Sequence, residues 1–509
     1  MQRAMHALKK CIGCLWLYLK SSFLLWYSLV LMVVFFAIVI PFQINQLNFY
    51  NEHRLIQLTI FCLVLFALFS KTSLQSISFI CATYYKTSIL VGLCFISGLV
   101  LALDTDYANF SLLMLAMSYA LIMLALFFVV LVINYGDRSI LPLIVVCGLS
   151  FWLLAILIII NGYGIIQEPN ELFISLYNHK PVILVPRLHF LDQYVSLILP
   201  LIGCFFIHQQ GKNKIKKVKQ IRQVLGLATT SIGWYFLIIT GSKAALVEWI
   251  AISIIGLLCF RSIFFQYLRG MLLGLMFAVL SYLCCCLVKH HSLIKISIYS
   301  GQYRHYAEQL NSYVSAFKRF LLHPVLAVVA LMHSMLSYLS WHAFIAEPYN
   351  IWLMIFYEWG IVISVIIVGL SLRLIYHCVQ IIKVQYNNPL VMVIVFSLVV
   401  GFIQSLLSFD VVMVPVSQIM LAIIVGVVVG LIIRVRHAEA IFNAQQDAAN
   451  DTIPISGYIF YILSVVCMVV VIGYVIAYFY DNLDVINGLN FSGDLESKSY
   501  TALMLTWVS

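Results

Sequence analysis

Charge is what this sequence has least of. Asp, Glu, Lys and Arg make up 9% of the chain against 63% hydrophobic residues, and the acids number only 19. A soluble domain is about half apolar and about a quarter charged, so a mean hydropathy of +1.04 excludes a soluble domain of any size. The alternation of apolar and polar residues that marks a membrane barrel is missing too. Runs of about twenty apolar residues recur instead, each long enough to cross roughly 30 Å of hydrocarbon. A helix satisfies its own backbone in lipid, so the expected fold class is an all-α polytopic membrane protein.

Other absences narrow the reading. The 13 cysteines lie mostly inside apolar runs, as in Cys284-Cys285-Cys286, and form no disulfide framework. Cys11-Ile-Gly-Cys14 lacks the second ligand pair that a zinc site requires, so no metal is expected. The first apolar run is long and has no small-residue cleavage site, unlike a signal peptide. No internal repeat or inverted symmetry relates the two halves, which weakens a transporter reading.

What is present is a series of about thirteen expected spans, near residues 22–42, 54–70, 88–104, 108–134, 139–161, 190–208, 223–240, 243–260, 271–288, 351–372, 389–407, 412–433 and 456–478. With the N-terminus inside, the inner segments hold nineteen of the 29 Lys and Arg, six of them between Lys212 and Arg222. The outer segments hold ten, together with fifteen of the 19 acids. Lys and Arg bias sets orientation, so the expected N-terminus is cytoplasmic. The net charge of +10 is then a topology signal and gives no reason to expect nucleic acid as a partner. The expected organisation is a cytoplasmic stretch 1–21, nine helices within 22–288, a large outer loop 289–350, four helices within 351–478 and an outer tail 479–509.

That loop is the longest polar interruption in the chain and carries Arg304, His305, Lys318, Arg319, His323, His333 and His342. It ends in Glu347-Pro-Tyr349-Asn350, directly before a span opening Ile351-Trp-Leu-Met-Ile-Phe-Tyr-Glu358-Trp-Gly360. Two further outward-facing stretches are basic: Pro186-Arg187-Leu-His189-Phe-Leu191-Asp192 and Thr240-Gly241-Ser242-Lys243. Cations at the outer leaflet suit an anionic headgroup or a diphosphate, arginine as a bidentate donor and lysine as a point charge. Glu358, two turns into its helix, and Glu248, near the start of another, are ionisable groups of the kind that face a cavity or a partner in lipid. For Lys243 and Glu248, mutual neutralisation near the water interface is the other reading.

In order and wording these segments resemble the O-antigen ligase/polymerase superfamily, including its protein-glycosylating members. Phe49-Tyr-Asn-Glu-His-Arg54 resembles their first periplasmic loop. Phe190-Leu-Asp-Gln-Tyr194 through Leu199-Pro-Leu201 resembles the entry to the central helix pair. Ile239-Thr-Gly-Ser-Lys-Ala-Ala-Leu246 is similar to the family's threonine-x-serine-arginine-glycine stretch. Ala316-Phe-Lys-Arg-Phe-Leu-Leu-His323-Pro324 resembles the approach to its His-Pro motif. Tyr349-Asn350-Ile-Trp-Leu353 with Glu358-Trp-Gly360 resembles its His-Asn-x-x-Leu followed by Glu-x-Gly.

The resemblance implies a GT-C-like transferase of the bacterial inner membrane, without metal, nucleotide sugar or other cofactor. Its donor would be an undecaprenyl-diphosphate-linked glycan, and its acceptor a growing glycan, the lipid A core of lipopolysaccharide, or a protein. By position, Arg187 and Lys243 would grip the diphosphate, with Arg304 or Arg319 supplying a further cation. His323 and Asn350 fall in matching motifs. The family's catalytic histidine is replaced by Tyr349, and a phenol with an ordinary pKa near 10 is a poor base at neutral pH. Glu347 or His342 would then serve as the base. A transporter or flippase for lipid or polysaccharide, and a catalytically silent relative, remain the other readings, and ligase and polymerase stay undivided.

Overall fold

The computed structural model describes residues 23–39, 49–68, 70–103, 108–165, 185–207, 216–240, 243–288, 351–407 and 415–438. Among these residues there is no strand, and the chain is a bundle of helices. Five are long and apolar enough to cross a membrane: Ser118–Tyr135, Arg261–Cys284, Ile363–Val384, Pro389–Leu406 and Ser417–Arg436. A sixth span is added if Thr59–Leu68 and Ser73–Thr83, bent by 87° at a short break, count as one. Several shorter apolar helices pack among them.

In chain order the helices are α1 (Phe23–Val39), α2 (Phe49–Leu68), α3 (Lys71–Thr83), α4 (Tyr85–Leu103), α5 (Ala108–Tyr135), α6 (Ile140–Ile165) and α7 (Val185–Ile202). They continue with α8 (Lys216–Thr240), α9 (Lys243–Cys259), α10 (Arg261–Val288), α11 (Ile351–Val384), α12 (Pro389–Leu407) and α13 (Pro415–Arg436).

The close approaches between helices set their directions. A Cβ at Gly233 of α8 would stand 2.7 Å from Leu199 of α7, and one at Gly226 would stand 2.8 Å from Phe205 just beyond it. These two contacts run in opposite senses along the chain, so α7 and α8 are antiparallel. Gly401 of α12 lies beside Leu421 of α13 and Leu197 of α7, where a Cβ would stand at 2.6 and 3.2 Å. Three residues on, the Gln404 side-chain amide donates to the Gln193 carbonyl of α7 at 3.3 Å, so α12 is antiparallel to α7. Along α13, Gly426 abuts the Ala125 carbonyl and Gly430 abuts Val129 and Val132 of α5. That pair is parallel and close-packed, as small residues four apart permit in lipid.

The core is correspondingly apolar and rich in aromatic rings. Tyr27, Phe127, Phe151, Tyr194, Phe264, Tyr267 and Phe396 are all buried, and Tyr267 meets Phe396 with ring centroids 5.4 Å apart. Outward faces keep their apolar residues exposed, as on α9 at Leu246, Val247 and Ile250, where lipid would cover them.

Three stretches expected as inner segments are helical. Residues 71–83 form α3, whose start is capped by the Ser70 hydroxyl accepting from the Ser73 amide at 3.3 Å. Residues 261–270 continue α10 back to Arg261, because Phe264 and Tyr267 find burial in the core. Residues 373–384 extend α11, where Cys378, Ile381 and Ile382 line its inner face. Each carries polar residues at helical spacing, which reads as a loop when only apolar runs are counted.

Candidate functional site

Directions of packing decide which helix ends meet. Because α7 is antiparallel to α8, the end of α8 at Thr240 and the start of α9 at Lys243 lie at the end where α7 begins. Because α12 is antiparallel to α7, the end of α12 at Leu407 and the start of α13 at Pro415 lie there as well. Arg187 is in the first turn of α7, and Lys243 opens α9. These two sequence-predicted cations, 56 positions apart, therefore belong to helix starts at one end of the bundle.

Glu358 is in the third turn of α11. That helix, at 34 residues, rises roughly 50 Å. Its far end turns into α12 through Gln385 and Asn388, whose amides donate to Ile381 and Gln385 carbonyls at 2.8 and 2.9 Å. Glu358 thus lies far from that turn, on the stretch of α11 leading in from its start. Tyr349, Glu347, His342, Arg304, Arg319, His323 and Asn350 lie outside the described residues, as does the rest of 289–350.

Beneath this end runs a layer of buried polar side chains. Glu248, five residues into α9, is fully buried on the stripe Ala245, Glu248, Ile252. Its neighbours Leu246, Val247 and Ile250 face outward. Of the two readings of Glu248, its burial favours the one in which the carboxyl faces the bundle interior. Gln193, eight residues into α7, and Gln404, three residues from the end of α12, meet through the bond already described. Ser417, two residues into α13, is buried as well. The four stand about 3 to 12 Å from their helix ends along the axis, in the part of the bundle next to this end.

Below them the Tyr194 and Ser150 hydroxyls share a 2.7 Å hydrogen bond, and Trp152 Nε1 donates to Thr229 Oγ1 at 2.9 Å. The Oε1 of Gln404 and the hydroxyls of Ser196, Thr230, Ser397 and Ser417 have no hydrogen-bond partner among the described residues. Unmet polar atoms are costly in an apolar interior, and those near one membrane face can be met by water or by a polar ligand entering from it. Gln404 and Ser417 carry no charge and fit no motif, so only the fold reveals them; Gln193 lies in the quoted Phe190–Tyr194 stretch, but nothing in the sequence singles it out. Among the described residues no three His, Cys, Asp or Glu side chains come together as a metal-ligand group.

No family model matches the chain, and no curated protein matches it.

Proposed function

We propose that this protein is an O-antigen-ligase-like glycan transferase of the bacterial inner membrane, working at the end of the bundle where α7 and α9 begin. The observation that supports it most directly is the meeting of the Arg187-bearing and Lys243-bearing helix starts at one end. The segment 289–350, with the other candidate residues, joins α10 to α11. In this reading the chain has about thirteen spans in a GT-C-like arrangement. The N-terminus is cytoplasmic, and the large loop and C-terminal tail are periplasmic.

Arg187 and Lys243, with Arg304 or Arg319, neutralise the diphosphate of an undecaprenyl-diphosphate-linked glycan. A base from the end of the loop (His342, Glu347 or Tyr349) takes the proton of an acceptor hydroxyl. The acceptor oxygen then attacks the anomeric carbon with inversion. The bond from that carbon to the diphosphate oxygen breaks, and the diphosphate leaves on its lipid. The cations hold the charge that grows on the leaving oxygens, which is where electrostatic catalysis acts most strongly.

The test is the pool of lipid-diphosphate-linked glycan in a deletion strain and its complemented parent. Accumulation of long chains supports ligation, and accumulation of single repeats supports polymerisation. An unchanged pool in a strain with no second copy of the activity removes the transferase reading. A transporter or flippase is the second reading, favoured by the interior-facing Glu248, since buried carboxyls in membrane helices often mark transport paths. Donor that builds up only on the cytoplasmic leaflet identifies that case.

A further inference from the structure

The opposite end of the bundle, where α13 finishes, has its own cluster of polar chemistry. Three stretches far apart in sequence meet there: 84–87 at the start of α4, 373–377 on α11, and 434–437 at the end of α13. The Tyr84 hydroxyl and His437 Nε2 hydrogen-bond at 3.1 Å. Phe79 and Tyr84 both set ring edges against the His437 imidazole, at centroid distances of 6.1 and 5.8 Å. Arg373 Nη1 donates to Thr87 Oγ1 at 2.7 Å. Arg373 and Arg436 lie within Coulomb range of both Tyr84 and His377.

Among the described residues the cluster holds donors without a matching acid. Arg373 spends one of the five N–H donors of a guanidinium on Thr87, and both it and Arg436 are exposed. Neither pairs with a carboxylate among the described residues. The two ring nitrogens of His377 are covered and have no hydrogen-bond partner there. Lys86 adds a further cation, with Nζ 5.9 Å from the Tyr85 ring centroid. Asp137, the acid on the nearby Gly136–Ser139 turn, is followed by Arg138. Arg434 is committed elsewhere, donating to the Val132 carbonyl at 3.1 Å.

Beside this polar group the surface is apolar. Tyr85 and Ile89 on α4 and Leu372, Ile375 and Tyr376 on α11 are all exposed. A cluster of guanidinium and imidazole donors next to bare aliphatic surface matches a ligand with a phosphate head and hydrocarbon chains. An isolated phosphate would need only the first half.

We propose that the end of the bundle between α4, α11 and α13 binds the phosphate of an anionic phospholipid headgroup. Arg373 and Arg436 hold the phosphate, His377 and the Tyr84–His437 pair form the floor, and the acyl chains lie along α4 and α11. This site is separate from the end that bears Arg187 and Lys243 and does not depend on the transferase reading.

The experiment is native mass spectrometry of the full chain released from nanodiscs containing equal phosphatidylglycerol and phosphatidylcholine. The wild-type protein is expected to retain phosphatidylglycerol in preference. Arg373→Gln and Arg436→Gln are each expected to lower that preference about fivefold, the effect of one cation near a lipid surface. Lys383→Gln, on the same helix but outside the cluster, is expected to retain it. In a neutral detergent, inorganic phosphate is added alone and unfolding is followed. Stabilisation of the wild type but of neither arginine variant, with no lipid preference, would assign the site to free phosphate instead. Equal retention of the two lipids by the wild type, together with no phosphate stabilisation, overturns the proposal without reference to any variant. Arginine variants that are monodisperse and keep the wild-type preference overturn it as well.

Discussion

The Gln404 side-chain amide donates to the backbone carbonyl of Gln193 at 3.3 Å, joining residues 211 positions apart at the end of the bundle that carries the candidate site. The bond ties α12, about one turn from its end, to α7, about two turns from its start, and helps fix the height of α7 in the bundle. Gln404→Ala removes it and leaves a buried carbonyl with one partner fewer. The expected loss is about 1 kcal/mol, the usual scale of a polar contact between membrane helices. Thermal unfolding in detergent measures it, and a Gln404→Ala protein as stable as the parent would show that the contact contributes nothing.

Gly426 and Gly430 let α13 and α5 pack at backbone distance. A Cβ at Gly426 would overlap the Ala125 carbonyl, which is backbone and cannot rotate away. Gly426→Val is expected to separate the pair and to lower membrane abundance severely, at a cost above about 2 kcal/mol. Gly92 and Gly369 have nothing within 4 Å of a built Cβ, so Gly92→Ala and Gly369→Ala are expected to accumulate normally. Quantitative immunoblots of membrane fractions compare all three, and equal abundance would refute the close-packing argument.

Glu248 is buried on the inward stripe of α9. Glu248→Gln preserves shape and hydrogen-bonding capacity, so the variant is expected to reach the membrane at close to the parental level. Glu248→Lys places a longer cation in the same interior site and is expected to cost about 3 kcal/mol and to fail to accumulate. Fluorescence of a C-terminal fusion after gel filtration reads both. A Lys variant that folds as well as the Gln variant would return Glu248 to the water interface.

Arg187 stands in the first turn of α7. In the transferase reading, Arg187→Ala is expected to keep its membrane abundance and to lose at least about a hundredfold in glycan transfer, the scale of one electrostatic contact to a developing charge. Arg187→Lys keeps the charge without the bidentate fork and is expected to fall between. Transfer assayed with purified lipid-linked donor decides it. Full activity in Arg187→Ala would exclude the residue from the site.

Arg434 covers Gly136, whose φ of +64° opens the turn between α5 and α6, and it donates to the Val132 carbonyl at the end of α5. Arg434→Gln is expected to destabilise by about 1 kcal/mol through loss of that cap. Gly136→Ala is expected to cost more, since it combines a left-handed backbone with an overlap against the guanidinium. Unfolding midpoints of the two variants test the order.

The sequence by itself determined that this chain is helical and built for lipid. Each apolar run is a local property, and a helix is the only way for a short segment to satisfy its own backbone there. That is why 389–407 matches the observed α12 and 88–104 falls within three residues of α4. The basic helix starts at Arg187 and Lys243 were legible for the same reason: charge stands out where there is so little of it. Tertiary structure alone decided which faces are inside. In a soluble protein the polar side of a helix announces the solvent, but here lipid and core are equally apolar. The inward turn of Glu248, the meeting of Gln404 with Gln193 and the gathering of Arg373, Arg436 and His437 were therefore set by packing between distant helices.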